Sequence, residues 1–537
     1  MKKLLFMIFL VFYVSGIFSQ AEMKIRNWRN SQVDSLQMAE AMFEEQSFVP
    51  AASIYDKLQQ DHPAELYLKY KTGICGLFRS DMHEKSMLFL IEVYEKNQMA
   101  EDIEYYLAKA YHYNFKFDDA LFVLDNYLRR KGINGPQKRN ARQLGENCRN
   151  AKMLVASPVD ARIDNMTDIV NTVNSEYVPL VSSDESMIIY TYRGDASTGG
   201  LQNEDYQPDP FGMYFEDVFA AHKENGIWTT PFGISSINTN EHDAAIGLSN
   251  DGQKLFIFKD NGNDGGDIYI SIANDSGWSS PEKLRGEINT LAWEGSASIS
   301  SDEHTLFFSS ERPGGYGGKD IYKASLQADG SWGDVQNLGS SVNTAFDDDA
   351  PFIHPDSKTL IFSSKGWNSM GGFDIFSSRR NTDGTWFTAK NLGYPINTPD
   401  DDIYFVLSTD GNKGYYASGK TGGYGLQDIY TVDMPENSYK PVVAMVRGNT
   451  LVDDKAVPVK IEVEMTDVNN IYGTFSSGGV FGNYLINLLP GHIYKLTYKL
   501  KDFPDQVQMM DLRELSAYEE KNIEINFSVK NTVAQKN

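Results

Sequence analysis

Between residues 159 and 435 the chain repeats itself, and that repeat constrains the fold more than any other feature. An Asn-Thr pair begins at Asn171, Asn238, Asn289, Asn343 and Asn397. Thirteen residues after each comes an aspartate: Asp184, Asp251, Asp302, Asp356 and Asp410. Each aspartate sits in a turn such as Ser249-Asn250-Asp251-Gly252, and an apolar strand such as Leu306-Phe307-Phe308 follows. Next come a glycine-rich turn and an Asp-apolar-aromatic triplet, at Asp217, Asp267, Asp320, Asp374 and Asp428. Four units end in a tryptophan strand, at Trp228, Trp278, Trp332 and Trp386. Strand, turn, strand, turn, strand and a fourth outer strand make one antiparallel sheet. Repeating that sheet radially leaves only short, protected edges.

These residues resemble the TolB-type, WD-like propeller repeat, over roughly half the chain. The resemblance implies a β-propeller, here of five blades with six as the alternative. The fifth unit lacks a following Trp strand. Arg162-Ile163-Asp164-Asn165-Met166 precedes the first Asn-Thr pair and is expected to fill that place, joining the last blade to the first. The first unit carries an insertion of about Asp195 to Met213, rich in Gly, Asp and Pro, expected as a surface loop.

The regions flanking the repeat read differently. Residues 30–155 have apolar side chains at three- and four-residue spacing with few Pro or Gly, so they predict helices. Ala51, Tyr55, Leu58 and Pro63, then Ser86, then Leu107, Ala108, Tyr111, Ala120 and Leu124 recur at about 34 residues. Small residues at such offsets let paired helices approach closely while aromatics fill the groove between repeats. This pattern resembles a short tetratricopeptide array with a degenerate middle copy, capped by a basic helix around Lys138 to Arg149. Residues 440–530 alternate like strands at Val443–Gly448, Val459–Val463 and Tyr494–Tyr498. They resemble the carboxypeptidase-regulatory-like sandwich, a non-catalytic module.

The expected organisation is therefore a multidomain chain, α followed by all-β. A signal peptide spans 1–19, helical repeats 20–155, a propeller 156–436 and a small β-sandwich 437–537. The signal rests on Lys2-Lys3, the apolar run Leu4 to Val14 and the small-residue stretch from Ser15 to Ala21. Cleavage after Ser19 is preferred over Ala21. No cysteine follows the apolar run, so a lipid anchor is not expected, and the run is too short to span a bilayer as a helix. Export places the chain in the periplasm.

Composition narrows the partners. Hydrophobic residues make up 41% and charged residues 23%, which excludes wholesale disorder. The formal net charge is −24, and residues 159–435 hold all of it, with 17 Lys and Arg against 41 Asp and Glu. Such a surface repels nucleic-acid phosphates and anionic lipid, and favours basic partners or cations. Two cysteines cannot build a disulfide framework or a Cys-based zinc site, and buried free thiols are expected at Cys75 and Cys148.

One set of candidate site residues stands out. Five residues after each repeated Asn is an acid: Glu176, Asp243, Glu294, Asp348 and Asp402. If the innermost strand of each blade starts there, the acids form a ring at one mouth of the channel, for a cation or a basic partner. The competing reading has each acid bonding backbone of the neighbouring blade. The triplet and turn aspartates are expected to accept backbone N–H bonds. Asp260 to Gly265 has the wrong ligand spacing for an EF-hand, leaving a weak loop site open. His83-Glu84-Lys85-Ser86-Met87 lacks the second histidine of a zinc-protease helix and is expected as a solvated helix face. No nucleophile elbow, phosphate loop or metal cluster is visible, so no catalytic residue, metal or cofactor is expected.

The order of modules resembles envelope proteins of Bacteroidetes that carry tetratricopeptide, propeller, regulatory-like and OmpA-type domains, some of them in type IX secretion and gliding machinery. After Phe527 only ten residues follow, so an OmpA-type domain and the peptidoglycan anchoring it provides are not expected. The resemblance implies a non-enzymatic adaptor at the outer membrane, held there by other envelope proteins. The rival class is a propeller enzyme or a carbohydrate- or peptide-binding protein of the envelope.

Overall fold

A computed structural model describes residues 28–528 apart from residues 99, 204, 211, 261–264, 275–276, 437 and 479–481. The expected signal segment and the middle of the Asp260–Gly265 loop lie outside the described residues. Two compact units divide the chain. One runs to Ala156 and takes in Gly419–Gly422; the other holds Ser157–Ser418 and everything from Gly423 on.

The first unit is helical: Asn30–Glu44, Phe48–Asp61, Leu66–Cys75, His83–Lys96, Ile103–Tyr113, Phe117–Arg129 and Gly135–Ala156. Each helix packs on the next in sequence. Close approach comes from the small residues. Ala51, Ala52, Ala108, Ala110 and Ala120 are fully buried. A Cβ on Gly73 would lie 2.8 Å from Leu90 Cγ, and one on Gly76 would collide with the Ser86 hydroxyl. The middle pair thus achieves its contact with glycines, where the flanking pairs use alanines. Tyr55 and Tyr127 are buried and donate to Glu40 and Asp102 of the helix before. His83 is not on a solvated face as expected. It is 3% exposed, stacks on Tyr113 at 4.3 Å, and burial lowers its imidazole to about 4. Cys75 and Cys148 are buried and free, and burial pushes both thiols up to about 12.

The second unit opens with five antiparallel sheets. Their innermost strands are Ser175–Val181, His242–Leu248, Glu294–Ile299, Asp348–Ile353 and Asp402–Leu407, and each lies against its two neighbours in a closed cycle. Arg162–Asn165 supplies the outer strand of the last sheet, pairing Arg162 with Asp433 and Asn165 with Tyr430. The other outer strands are shorter than the sequence implies. Trp228 and Trp278 lie in two-residue strands, only Trp332 begins a full strand, and Trp386 makes a single bridge to Arg380. The insertion is more than a surface loop. Gln202, 2% exposed, bridges Pro208 and Met213 and donates to Asn240 O at 2.9 Å, so the segment folds around a buried amide.

The remaining strands form two further sheets. One runs Asn470–Ser476, Lys460–Met465, Ile493–Lys499, Gln506–Asp511. The other centres on Ala444–Val452, paired antiparallel with Asn483–Leu488 and parallel with Glu519–Asn522 and Ile525–Phe527. Val446, Ile461, Val463, Ile486, Leu496 and Tyr498 pack between them. This part meets the aspartate turns of the five-sheet ring. Asn487 donates to Ser183 Oγ at 3.0 Å, and a Cβ on Gly473 would stand 3.2 Å from Asp302 O. One end of the ring is thereby covered by the two-sheet part, and the other end carries the Asn-Thr loops.

Candidate functional site

At that second end every joint between sheets is built alike. The repeated asparagine clamps the residue after the preceding sheet's triplet aspartate. Asn397 Oδ1 accepts from Ile375 N at 2.7 Å while its Nδ2 donates to Ile375 O at 2.9 Å. Asn238 holds Val218, Asn289 holds Ile268 and Asn343 holds Ile321 in the same way. Asn171 holds Ile429, which closes the cycle across 258 residues. A side-chain amide has one donor end and one acceptor end, so it can satisfy an N–H and a C=O of one residue together.

The five acids lie at these joints, and all five are fully buried: Glu176, Asp243, Glu294, Asp348 and Asp402 each have 0% exposure. Each accepts from the threonine four residues before it. Asp402 Oδ2 takes Thr398 N at 2.6 Å and Oγ1 at 2.8 Å, Glu294 takes Thr290 N and Oγ1 both at 2.7 Å, and Asp243 takes both groups of Thr239 at 2.6 Å. Thr172 gives both groups to Glu176, and the Thr344 N–H goes to Asp348. The bond to the preceding sheet comes from the acid's own backbone: Asp348 N donates to Lys319 O at 2.8 Å and Asp402 N to Phe373 O at 2.8 Å. Of the two readings the sequence left open, the structure favours the structural one: the five acids are internal braces, with their carboxylates bonded to threonines of their own loops and their backbone N–H groups to the preceding sheet. The five carboxylates are covered, because the Asn-Thr loop that leads into each strand folds back over the acid at the strand's start.

Cations missed in the sequence lie beside these acids. Lys259 pairs with Asp243, and Arg312 reaches Glu294 Oε1 at 3.4 Å. Nearby, Arg193 pairs with Glu216 at 3.4 Å, Lys319 with Asp349 at 3.0 Å and Lys365 with Asp347 at 3.0 Å. Arg193, Lys259, Arg312 and Lys365 stand 21 to 23 residues after their asparagines, a spacing that a search for basic as well as acidic recurrence would have found. For Glu176 and Asp348 burial outweighs the threonine bonds and pushes the carboxyls up to about 7. Burial also raises Glu216, but the His242 bond and Arg193 outweigh it and hold that carboxyl at about 2.

The channel inside the innermost strands is narrow. Each strand has a bulge just past its acid. In four of them the residue two places on, Val178, Ser296, Ala350 or Tyr404, has positive φ and lines the bore. A bulge turns an extra side chain inward. Tyr177 and Tyr404 stack at 6.2 Å, and Tyr177 donates to Glu216 Oε1 at 3.0 Å. A partly open cavity of about 40 Å³ in the bore is lined by residues such as Leu180, Ile246 and Phe405. A space of that size suits a few water molecules. Among the described residues no group of three or more His, Cys, Asp and Glu could hold a metal ion, and no helix is long and apolar enough to cross a membrane.

No family model matches the chain, and no curated protein matches it. Its structural neighbours include TolB-like propeller proteins. It is similar to a putative TolB from Agrobacterium tumefaciens, with 14% identity over 61% of this chain and 96% of that one, at a TM-score of 0.31. It is also similar to TolB from Acinetobacter baumannii, with 15% identity over 57% and 72%, at a TM-score of 0.30. A GH43 beta-xylosidase/alpha-arabinofuranosidase, CoXyl43 from a compost microbial metagenome, shows 14% identity over 52% and 96%, at 0.35. Likenesses this loose say nothing of the chain's activity.

Proposed function

We propose that the protein is a non-enzymatic adaptor of the periplasm, exported by the signal at 1–19 and held in an outer-membrane-associated assembly by other envelope proteins. The type IX secretion or gliding machinery is the assembly that the order of modules points to. In this reading residues 20–155 are tetratricopeptide-like repeats, 156–436 a five-bladed propeller and 437–537 a regulatory-like sandwich. The observation that supports it is the state of the channel. A bore of about 40 Å³, with its five mouth carboxylates buried and bonded to threonines, leaves recognition to the outer surfaces. The balanced charge of the helical repeats and the −24 of residues 159–435 would then serve two different contacts on one chain, raising avidity without a single tight interface.

The test is affinity capture of the tagged full chain from detergent-solubilised envelope, with the captured proteins quantified by mass spectrometry. Outer-membrane proteins in fixed ratio to the chain are the expected result. A chain that captures none of them and hydrolyses a glycan or peptide when purified is an enzyme, and the adaptor reading is wrong.

A further inference from the structure

The loops that close the joints also leave bulky apolar side chains in water. Val173 and Leu291 directly follow the threonines of their Asn-Thr pairs and are 79% and 90% exposed. Phe346 stands two residues past Thr344 and is 41% exposed, while Tyr316 and Tyr424 project from glycine turns at 53% and 52%. These turns and loops touch. A Cβ on Gly317 would collide with Phe346 O, and one on Gly425 with Asn174 O. Tyr316 with Phe346, and Tyr424 with Val173, therefore belong to two crests at the same end of the ring, and Leu291 belongs to a third.

The ring does not need an apolar side chain at the position of Val173 and Leu291. The position of Val173 and Leu291 is Asn240 in the second sheet and Pro399 in the fifth, so the repeat accepts a polar residue there. Single exposed apolar residues are ordinary, but several from homologous loops at one end mark a contact surface. The charges around them select the partner. Arg312, Lys319 and Lys365 are already paired with Glu294, Asp349 and Asp347. Asp195, Glu287, Glu311 and Asp401 are exposed on these loops. An acidic rim around apolar anchors complements a cationic protein segment and repels phosphate-bearing surfaces.

We propose that this end of the ring docks a basic protein segment in which Lys or Arg alternates with large apolar side chains, anchored on Val173, Leu291, Tyr316, Phe346 and Tyr424. The inference rests on the adaptor reading and adds the surface and the chemistry of what it holds.

Three labelled synthetic peptides test it against the purified full chain by fluorescence anisotropy. One interleaves Lys and Arg with Leu and Trp, one replaces Leu and Trp by Ser, and one replaces Lys and Arg by Glu. The first should bind at least about ten-fold more tightly than the others, as expected when a few apolar anchors dominate. Its affinity should fall as salt rises from about 50 to about 300 mM, where exposed charges are screened. The triple variant Leu291→Ser, Tyr316→Ser, Phe346→Ser should weaken it about five-fold or more with an unchanged melting temperature. Phe122→Ser, at another exposed site, should leave it unchanged. Equal binding of the serine peptide, undiminished binding by the triple variant, or preferential binding of anionic vesicles overturns the proposal. If the native chain and the triple variant capture the same envelope partners equally, the crests are not the docking surface although the adaptor reading stands. If the native chain captures none, the adaptor reading itself has failed.

Discussion

The helical unit and the five-sheet ring are both repetitive, yet they use polar residues in opposite ways. In the ring the same polar set recurs at each joint: an asparagine clamp, a threonine and a buried acid. In the helical unit the polar contacts are individual. Glu40, within its helix, accepts from Tyr55 at 2.7 Å and Tyr67 at 2.8 Å, whereas Asp102, at the start of a helix, accepts from Tyr127 at 2.7 Å. Helices satisfy their own backbone, so their repeats need only small and aromatic residues to fit together. Neighbouring sheets of a ring leave backbone groups facing one another at the joint, and each joint needs side chains to satisfy them. A polar residue repeated in every unit of the ring is thus architectural. The positions that vary between units, such as Val173, Asn240, Leu291 and Pro399, are where contacts with other molecules can be encoded.

The sharpest way to break this contrast is to remove one clamp. Asn397→Ala strips both partners from the buried backbone of Ile375 and should lower the stability of the ring by about 2–6 kcal/mol, at roughly 1–3 kcal/mol for each group left unpaired. Chemical denaturation followed by the tryptophans of the ring would report it. A loss below about 1 kcal/mol would mean that water replaces the clamp and that the polar repeat is not architectural.

A smaller effect is expected in the helical unit. Gly76→Ala forces a methyl into the Ser86 hydroxyl and should cost about 1–3 kcal/mol, the usual range for overpacking. Pairing it with Ser86→Gly should recover part of the loss, because the Ser86 hydroxyl is the nearest obstacle and Met82 Cβ, at 3.2 Å, the next. Failure of that rescue in a double-mutant cycle would locate the strain in backbone and not in the small-residue contact.

A third test is the dependence on pH. Glu176 and Asp348 titrate near 7 in the folded ring, above the ordinary carboxylate range of about 4. Between those values the folded chain binds more protons than the unfolded one, so stability falls as pH rises and levels off above the folded value. The ring should therefore melt lower at pH 8 than at pH 5, and Asp348→Asn should shrink that difference. A melting temperature that rises over the same interval would show that other groups dominate.

Much of this architecture is written locally in the chain. The period of about 54 residues, the turn aspartates, the triplets and the closing segment at Arg162 can be read from spacing, since each is a short-range pattern tied to one strand or turn. The place of the closing strand followed as well: Arg162–Asn165 pairs where the missing outer strand was expected. The role of the five acids could not be read that way. Spacing places Glu176, Asp243, Glu294, Asp348 and Asp402 together, but whether carboxylates that converge face solvent or lie covered depends on what packs over them. Only the tertiary structure decides that. There the Asn-Thr loop that leads into each innermost strand folds over that strand's own acid and its threonine bonds the carboxylate, while the bulges narrow the bore at the centre. The same closure carries Leu291 and Tyr316 outward from loops that, as sequence, look like any other turn, because exposure is a property of the assembled ring and of no single segment.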